Sequence, residues 1–372
     1  MKRYLDAARR MPWRPGLWLL VVCVLTTFHL PVKSGLFAPD EPLESGKSGP
    51  GTVQAAAGSE RLKIGFSMDT LLEERWLKDR DLFRAEAEKL GAEVEVMAAN
   101  GDDALQLVQA ETLISRGVDV LVVVPHNADA MAAIVHRAHA AGIKVLAYDR
   151  LIRNASVDLY ISFDNERVGE LQAQAITELV PRGKYVYIGG AETDNNAHLL
   201  KKGVFHVLQP LIDRGDITVV YDEWTHNWKT DIARENIKTA LDVNGNDIDA
   251  VIAANDATAN EVIKELEARG LAGKVPVAGQ DADLTAAIRI VEGTQTMTVY
   301  KPIQSMAQTA AEMAVKLAKD EPVEIHRTMS NGKLEVPSLL LTPIAVNRET
   351  IDETIIADGF HSREEVYSAA KR

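Results

Sequence analysis

From Lys63 onward, short and nearly unbroken apolar runs alternate with amphipathic stretches, and the cycle runs twice. "KIGFSM" (63–68), "EVEVMAA" (93–99), "DVLVVVP" (119–125), "KVLAYD" (144–149) and "DLYISF" (158–163) form the first series. Helical periodicity falls between them, over 75–90, 104–116 and 128–141. The second series is "KYVYIGG" (184–190), "ITVVYD" (217–222), "DAVIAAND" (249–256), "KVPVAGQD" (274–281) and "TMTVYK" (296–301). Runs of Val and Ile without polar alternation indicate strands buried on both faces, as in parallel sheets. Strand–helix alternation every ~30 residues calls for βαβ units with right-handed crossovers. The expected fold is therefore α/β, with two doubly wound parallel-sheet lobes. A length of 372 residues, more than one hydrophobic core usually serves, agrees. "SMAQTAAEMAVKLAK" (305–319) adds an amphipathic helix, and Thr342 to Phe360 a last segment.

Charge excludes one class of partner. Lys plus Arg number 41 against 54 Asp plus Glu, a formal charge of −13. A protein that tracks phosphates carries a basic face, so no nucleic-acid partner is expected. The only cysteine, Cys23, precedes the alternating region, which leaves no disulfide framework and no cysteine-based metal site. No cofactor or metal is expected.

The first 32 residues read differently. Lys2, Arg3, Arg9, Arg10 and Arg14 precede the apolar stretch "GLWLLVVCVLTTFHLPV" (16–32). That order marks an export signal or a membrane anchor, and either places the remainder outside the cytoplasm. The stretch is slightly short for a spanning helix, which needs roughly 20 residues. Yet Ala38 is followed by Pro39, "QAAAGS" lies too far on, and Val22 before Cys23 does not suit a lipoprotein signal. The missing cleavage site favours a retained anchor. Residues 33–60, rich in Gly, Pro and Ser, read as a flexible linker with a reach of roughly 30 Å.

In open parallel sheets, ligands bind beyond the carboxyl ends of the strands. The residues there are Asp69 with "EERW" (73–76), His126 and Asn127, and Asp149 and Arg150. The second series gives "ETDNN" (192–196), "EWTHNW" (223–228), Asn255 and Asp256, Gln280 and Asp281, and Lys301. Polar enrichment on one edge of both lobes is what a shared cleft requires. The mixture suits a neutral polyhydroxyl ligand: carboxylates accept from hydroxyls, while Arg, Lys and Asn donate to them. Indole faces pack against the C–H face of a sugar ring. A phosphate site would need a Gly-rich loop at a helix start, and only Gly189–Gly190 occurs.

At "ERWLKDRD", "VLAYDR", "YISFDNE", "DNNA", "NDATA", "GQDADL" and "GTQTMTVYKPI" the sequence resembles the periplasmic sugar-binding proteins of ABC importers, over roughly residues 62–361. The resemblance implies a type I periplasmic-binding-protein fold, two α/β lobes joined by three hinge strands that close on one sugar without chemistry. The lobes would comprise 61–166 with 301–343, and 167–300 with 344–372. The resemblance implies that Arg75, Asp149 and Arg150 contact sugar hydroxyls from the first lobe, and Asp194, Asn196, Asn255 and Asp281 from the second. Lys301 would contribute near a hinge, and Trp76 and Trp228 would stack. The loop around Trp228 departs from the family pattern, so Trp228 carries over less directly than Asp281. The implied ligand is a monosaccharide, xylose or a related pentose, and the implied partners are the importer's membrane subunits; the missing cleavage site keeps a membrane sensor kinase as the alternative partner.

Plainer roles compete at several positions. Asp256 is expected to cap the helix in "NDATANEV", with Asn255 left for the ligand, and Asp164 to cap the helix that follows it. Of Trp224 and Trp228, four apart, we expect Trp228 in the cleft and Trp224 to pack. His126 is one of nine scattered histidines and is not read as a metal ligand. "DVNGNDID" (242–249) misses the calcium-loop template and reads as a turn. Two other functions are weighed. A glycosidase would use Asp149 and Asp281 as an acid–base pair, although their neighbours suit static binding. A repressor of the lactose-repressor family would need a helix-turn-helix where the apolar segment stands.

Overall fold

The computed structural model describes residues 61–325 and 327–369. The expected signal or anchor (1–32) and linker (33–60) lie outside the described residues. The first half runs β1 (Leu62–Met68), α1 (Glu74–Lys89), β2 (Ala92–Ala98), α2 (Asp103–Ser115) and β3 (Val120–Val123). It continues with α3 (Ala132–Ala140), β4 (Lys144–Tyr148) and β5 (Leu159–Phe163). The second half runs α4 (Asn165–Leu179), β6 (Gly183–Ile188), α5 (Asn195–Asp213), β7 (Ile217–Glu223) and α6 (Thr230–Val243). Then come β8 (Ala250–Ala253), α7 (Asp256–Ala268), β9 (Val277–Gln280), α8 (Leu284–Glu292) and β10 (Met297–Tyr300). The tail holds α9 (Ile303–Ala318), β11 (Arg327–Ser330), β12 (Glu335–Leu341), β13 (Ile344–Val346) and α10 (Arg363–Ala369).

Two sheets result, ordered β11-β12-β5-β4-β3-β1-β2 and β13-β10-β9-β8-β6-β7. The chain passes between them three times, after β5, β10 and β12. All pairings among β1–β10 are parallel. The apolar runs explain this: β3, β4, β8 and β10 bury almost every residue, with separate hydrophobic clusters on the two faces of each sheet. Each such side chain contributes about 1.5–3 kcal/mol when fully buried.

The tail adds what periodicity did not reveal. β11 pairs antiparallel with β12, which lies parallel to β5, and β13 pairs antiparallel with β10. Thus each sheet gains an antiparallel edge strand. β11 is mostly exposed and polar, and β12 contains Pro337, so neither shows a buried-strand pattern. The helix expected from Ala128 begins at Ala132. Ahead of it the Asn127 side chain accepts from the amides of Asp129 and Ala130, both at 3.0 Å, which favours a turn.

Helix starts fix the loops that face the second sheet. Asp164 caps α4 as expected, accepting from Arg167 N at 3.1 Å. At α7 the cap falls one residue earlier than expected, while Asn255 still lines the cavity beyond the strand ends. Asn255 is the cap, its Oδ1 accepting from Thr258 N at 2.9 Å, and Asp256 is the first helical residue. Asp256 is instead a buried acceptor for Thr298 Oγ1 at 2.7 Å, Gln295 Nε2 at 2.8 Å and Asp283 N at 3.1 Å. The physical reason is backbone geometry: Asn255 is extended (φ −149°), as a cap must be, whereas Asp256 is already helical.

Candidate functional site

The loops after the strands of both sheets meet across one cavity. Twelve residues line it: Glu73, Arg75, Trp76, Asp149, Arg150, Asp194, Asn196, Trp228, Asn255, Gln280, Asp281 and Lys301. All ten residues singled out in the sequence are among them. Glu73 and Gln280 were noted only as polar strand-end residues, and their place on the wall becomes visible in three dimensions. Each keeps a buried side-chain oxygen, Glu73 Oε2 and Gln280 Oε1, with no hydrogen-bond partner among the described residues.

Arg75 is the hub. It sits in the first turn of α1 and is buried. Its Nε donates to Asp79 at 3.1 Å, its Nη2 to Asp149 at 2.8 Å and its Nη1 to Asp281 at 3.3 Å. The last bond joins the two lobes. Behind it, Tyr148 at the end of β4 donates to Asp79, and its ring packs edge-on against Phe66 and Phe83 at 5.5 and 6.2 Å. Core aromatics on β1, α1 and β4 thereby fix the guanidinium. The Arg75 and Arg150 guanidiniums lie 4.3 and 5.2 Å from the Trp76 ring centroid, a cation–π arrangement that holds the indole in place.

Arg150 forms a second buried chain. Its Nη1 donates to Asp69 at 2.6 Å and its Nε lies 2.9 Å from Asp194 of the other lobe. Asp69 also pairs with His126 Nδ1 at 2.8 Å. His126 is therefore a supporting partner of the Arg150 network. The Asp69 carboxylate beside it raises its pKa above the ordinary histidine value against the effect of burial. For Asp149, burial works to raise the pKa, but the charges of Arg75, Lys301 and Arg150 outweigh it and hold the carboxyl below the usual aspartate range. Asp149 stays a carboxylate, an acceptor.

The second lobe supplies its groups through helix starts and strained turns. Asp194 caps α5, with Oδ1 accepting from Asn196 N at 2.9 Å and Oδ2 from Trp228 Nε1 at 3.1 Å. Asn196 Nδ2 reaches back across the cleft to the Asp149 carbonyl at 3.0 Å. Lys301, just past β10, is buried with Nζ 3.1 Å from Asp281. Three wall residues have left-handed backbones: Asp149 (φ 61°), Trp228 (φ 56°) and Asp281 (φ 92°). Such non-glycine conformations cost of order 1–3 kcal/mol and concentrate where a side chain must be aimed at a ligand. Trp228 has a further requirement. A Cβ on Gly190 would come within 2.1 Å of its ring, so the Gly189–Gly190 pair makes room for the indole rather than for a phosphate. Trp224 points elsewhere, stacked on His198 and Lys201 at 4.9 and 4.6 Å.

Chemically, the wall has four carboxylates facing three cations, most of them paired with one another. Internal pairing leaves little net field for an ionic ligand. What remains are acceptors at Glu73 and Gln280, donors at Lys301 and Asn255, and two indoles. That set matches hydroxyl groups, which donate and accept at once.

The periplasmic binding protein domain profile matches residues 64–322, and the chain belongs to this family. Within it, the chain is 52% identical over 313 residues to the D-xylose-binding periplasmic protein of Haemophilus influenzae, covering 84% of this chain and 94% of that protein. The D-xylose-binding periplasmic protein of Escherichia coli is 51% identical over 314 residues, with 84% and 95% covered. Among solved structures, a carbohydrate transporter solute binding protein from Chloroflexus aurantiacus in complex with D-glucose matches with a TM-score of 0.78. That chain is 31% identical, and the match covers 82% of this chain and 98% of that one.

Proposed function

We propose that the protein is an extracytoplasmic receptor for one monosaccharide, D-xylose first, which closes two lobes on the sugar and delivers it to an ABC importer. The observation that carries this reading is convergence: ten polar and aromatic residues from separate strand ends of both sheets line one cavity. Relatives sharing half their residues, named for periplasmic D-xylose binding, support the choice of sugar and compartment. Arg75, Asp149 and Arg150 take hydroxyls from one side, Asp194, Asn196, Asn255, Asp281 and Lys301 from the other, and Trp76 and Trp228 cover the ring. The lobes comprise 61–166 with 301–343 and 167–300 with 344–372. A sugar that touches both lobes binds the closed form better than the open one, and that difference drives closure.

The charge on Asp149 argues against the Asp149–Asp281 acid–base pair. A glycosidase needs one carboxyl protonated near neutral pH. Asp149 is held ionised and is not placed as an acid catalyst. A thermal-shift and calorimetry panel of D-xylose, D-ribose, L-arabinose and D-glucose tests the reading. D-Xylose should raise the melting temperature most, since a ligand of the folded state stabilises it by mass action. No shift with any monosaccharide, or recovery of a cleaved glycoside, would defeat it.

A further inference from the structure

Outside the cavity, a second set of contacts ties the lobes together. Glu74, beside Arg75, accepts through Oε2 from the backbone N of Leu284 at 3.1 Å. Leu284 opens α8, whose own cap position, Asp283, makes no side-chain capping bond. A helix start leaves free N–H groups and a partial positive charge, so a carboxylate there is favourable. Here it comes from the opposite lobe. One turn along α1, Lys78 pairs with Glu74 Oε1 at 2.9 Å and donates to the Phe360 carbonyl at 2.9 Å. Its Nζ also sits 3.9 Å from the centre of the Phe360 ring.

Phe360 and the neighbouring tail pack on the second lobe with Ala282, Tyr300 and Val346. His361 is buried, with Nε2 2.7 Å from the Ala282 carbonyl. A carbonyl only accepts, so Nε2 carries the proton and Nδ1 is left as an acceptor facing Lys78 at 3.4 Å. The tail is thereby fastened to the loop that carries Asp281.

We infer that Glu74, Lys78 and His361 form an interlobe latch that sets how tightly the sugar is held without touching it. This rests on the lobe closure proposed above. Arg75 and Asp281 meet at 3.3 Å, Glu74 adjoins the first and Leu284 lies three residues after the second. A rotation that separates Arg75 from Asp281 therefore separates Glu74 from Leu284. Bonds made only in the closed form shift the open–closed equilibrium, and apparent affinity moves with the closed fraction. All three are positioning residues.

The histidine gives the latch a pH dependence. Burial chiefly, and the Lys78 charge in addition, hold His361 below the ordinary histidine pKa, while Glu74 on α1 and Glu365 on α10 pull it upward. Protonation would turn an N–H on Nδ1 toward the Lys78 ammonium at 3.4 Å, with the Glu74 carboxylate farther off at 3.8 Å. With the lobes apart the Lys78 ammonium no longer faces the ring, and its pKa rises from the closed-form value. The open form then binds more protons, and closure weakens as pH falls.

The test is D-xylose titration by calorimetry and sugar release by stopped-flow tryptophan fluorescence on the full chain. Glu74→Ala and Lys78→Met should each raise Kd about 5- to 30-fold, mostly through faster release, with the sugar-free melting temperature nearly unchanged. Glu74→Gln keeps an acceptor for Leu284 and should retain most of the affinity. Between pH 7.5 and 5.5, the ratio of wild-type to His361→Gln Kd should rise. Taking the ratio removes the contribution of Asp283, whose carboxyl burial pushes up to about 7. Wild-type Kd in Glu74→Ala and Lys78→Met overturns the latch, as does a loss shared by Glu74→Gln that tracks a lower sugar-free melting temperature. A flat Kd ratio removes His361 from it. If the wild type binds no monosaccharide at all, the sugar reading itself fails.

Discussion

The two halves of the cavity wall are built on different principles. On the seven-stranded side, Arg75, Asp149 and Arg150 belong to buried charge chains that run through Asp79, Asp69 and His126 into the core. On the six-stranded side, Asp194 and Asn255 are helix caps, and Trp228 and Asp281 are aimed by left-handed turns. The first half is held by charge chains that run into its own core. The second positions its groups by helix starts and turns, and its Asp194 and Asp281 are the ends of ion pairs with Arg150, Arg75 and Lys301. A binding residue therefore costs the fold differently on each side when it is removed.

Arg75→Met should have the largest effect. It strands Asp79 and Asp149 as buried acids and deprives Asp281 of a partner, at a cost of about 3–5 kcal/mol of stability. Calorimetry should find no xylose binding, and the sugar-free melting temperature should drop sharply. An unchanged melting temperature would dissolve the contrast between the halves. Trp228→Ala comes next. Its ring is only half-buried, so binding should weaken about 10- to 100-fold, by roughly 1.5–3 kcal/mol, while the melting temperature barely moves.

Asn255 separates cap from ligand contact. Asn255→Ala loses both, with about 1 kcal/mol of stability going with the cap. Asn255→Asp still accepts from Thr258, so the melting temperature should hold while sugar affinity falls through loss of the Nδ2 donor. Equal melting temperatures for the two variants would show that the cap contributes nothing. Trp224→Ala should change least: its ring lies on His198 and Lys201, away from the wall, and xylose affinity should match wild type.

Much of the site was legible before the fold. Strand ends could be read from apolar runs, and the rule that ligands gather beyond them selected Asp149, Arg150, Asp281 and Lys301 directly. The assignment at α7 went astray because Asn and Asp are nearly equal as caps, and neighbouring positions differ only in backbone angle. Glu73, Asp69 and His126 carry no local signal of their roles. Asp69 and His126 act through partners distant in the chain, His126 with Asp69 and Asp69 with Arg150, and Glu73 takes its place on the wall only where loops from both sheets meet.

Periodicity alone determined that this chain builds parallel sheets flanked by helices, and that polar groups line one edge of them, because side-chain burial repeats with the geometry of each element. Where the tail strands join and which charges pair across the lobes were decided only in three dimensions. Those outcomes depend on distances between residues as much as 283 positions apart, as Lys78 and His361 are, and no local pattern encodes a distance of that kind.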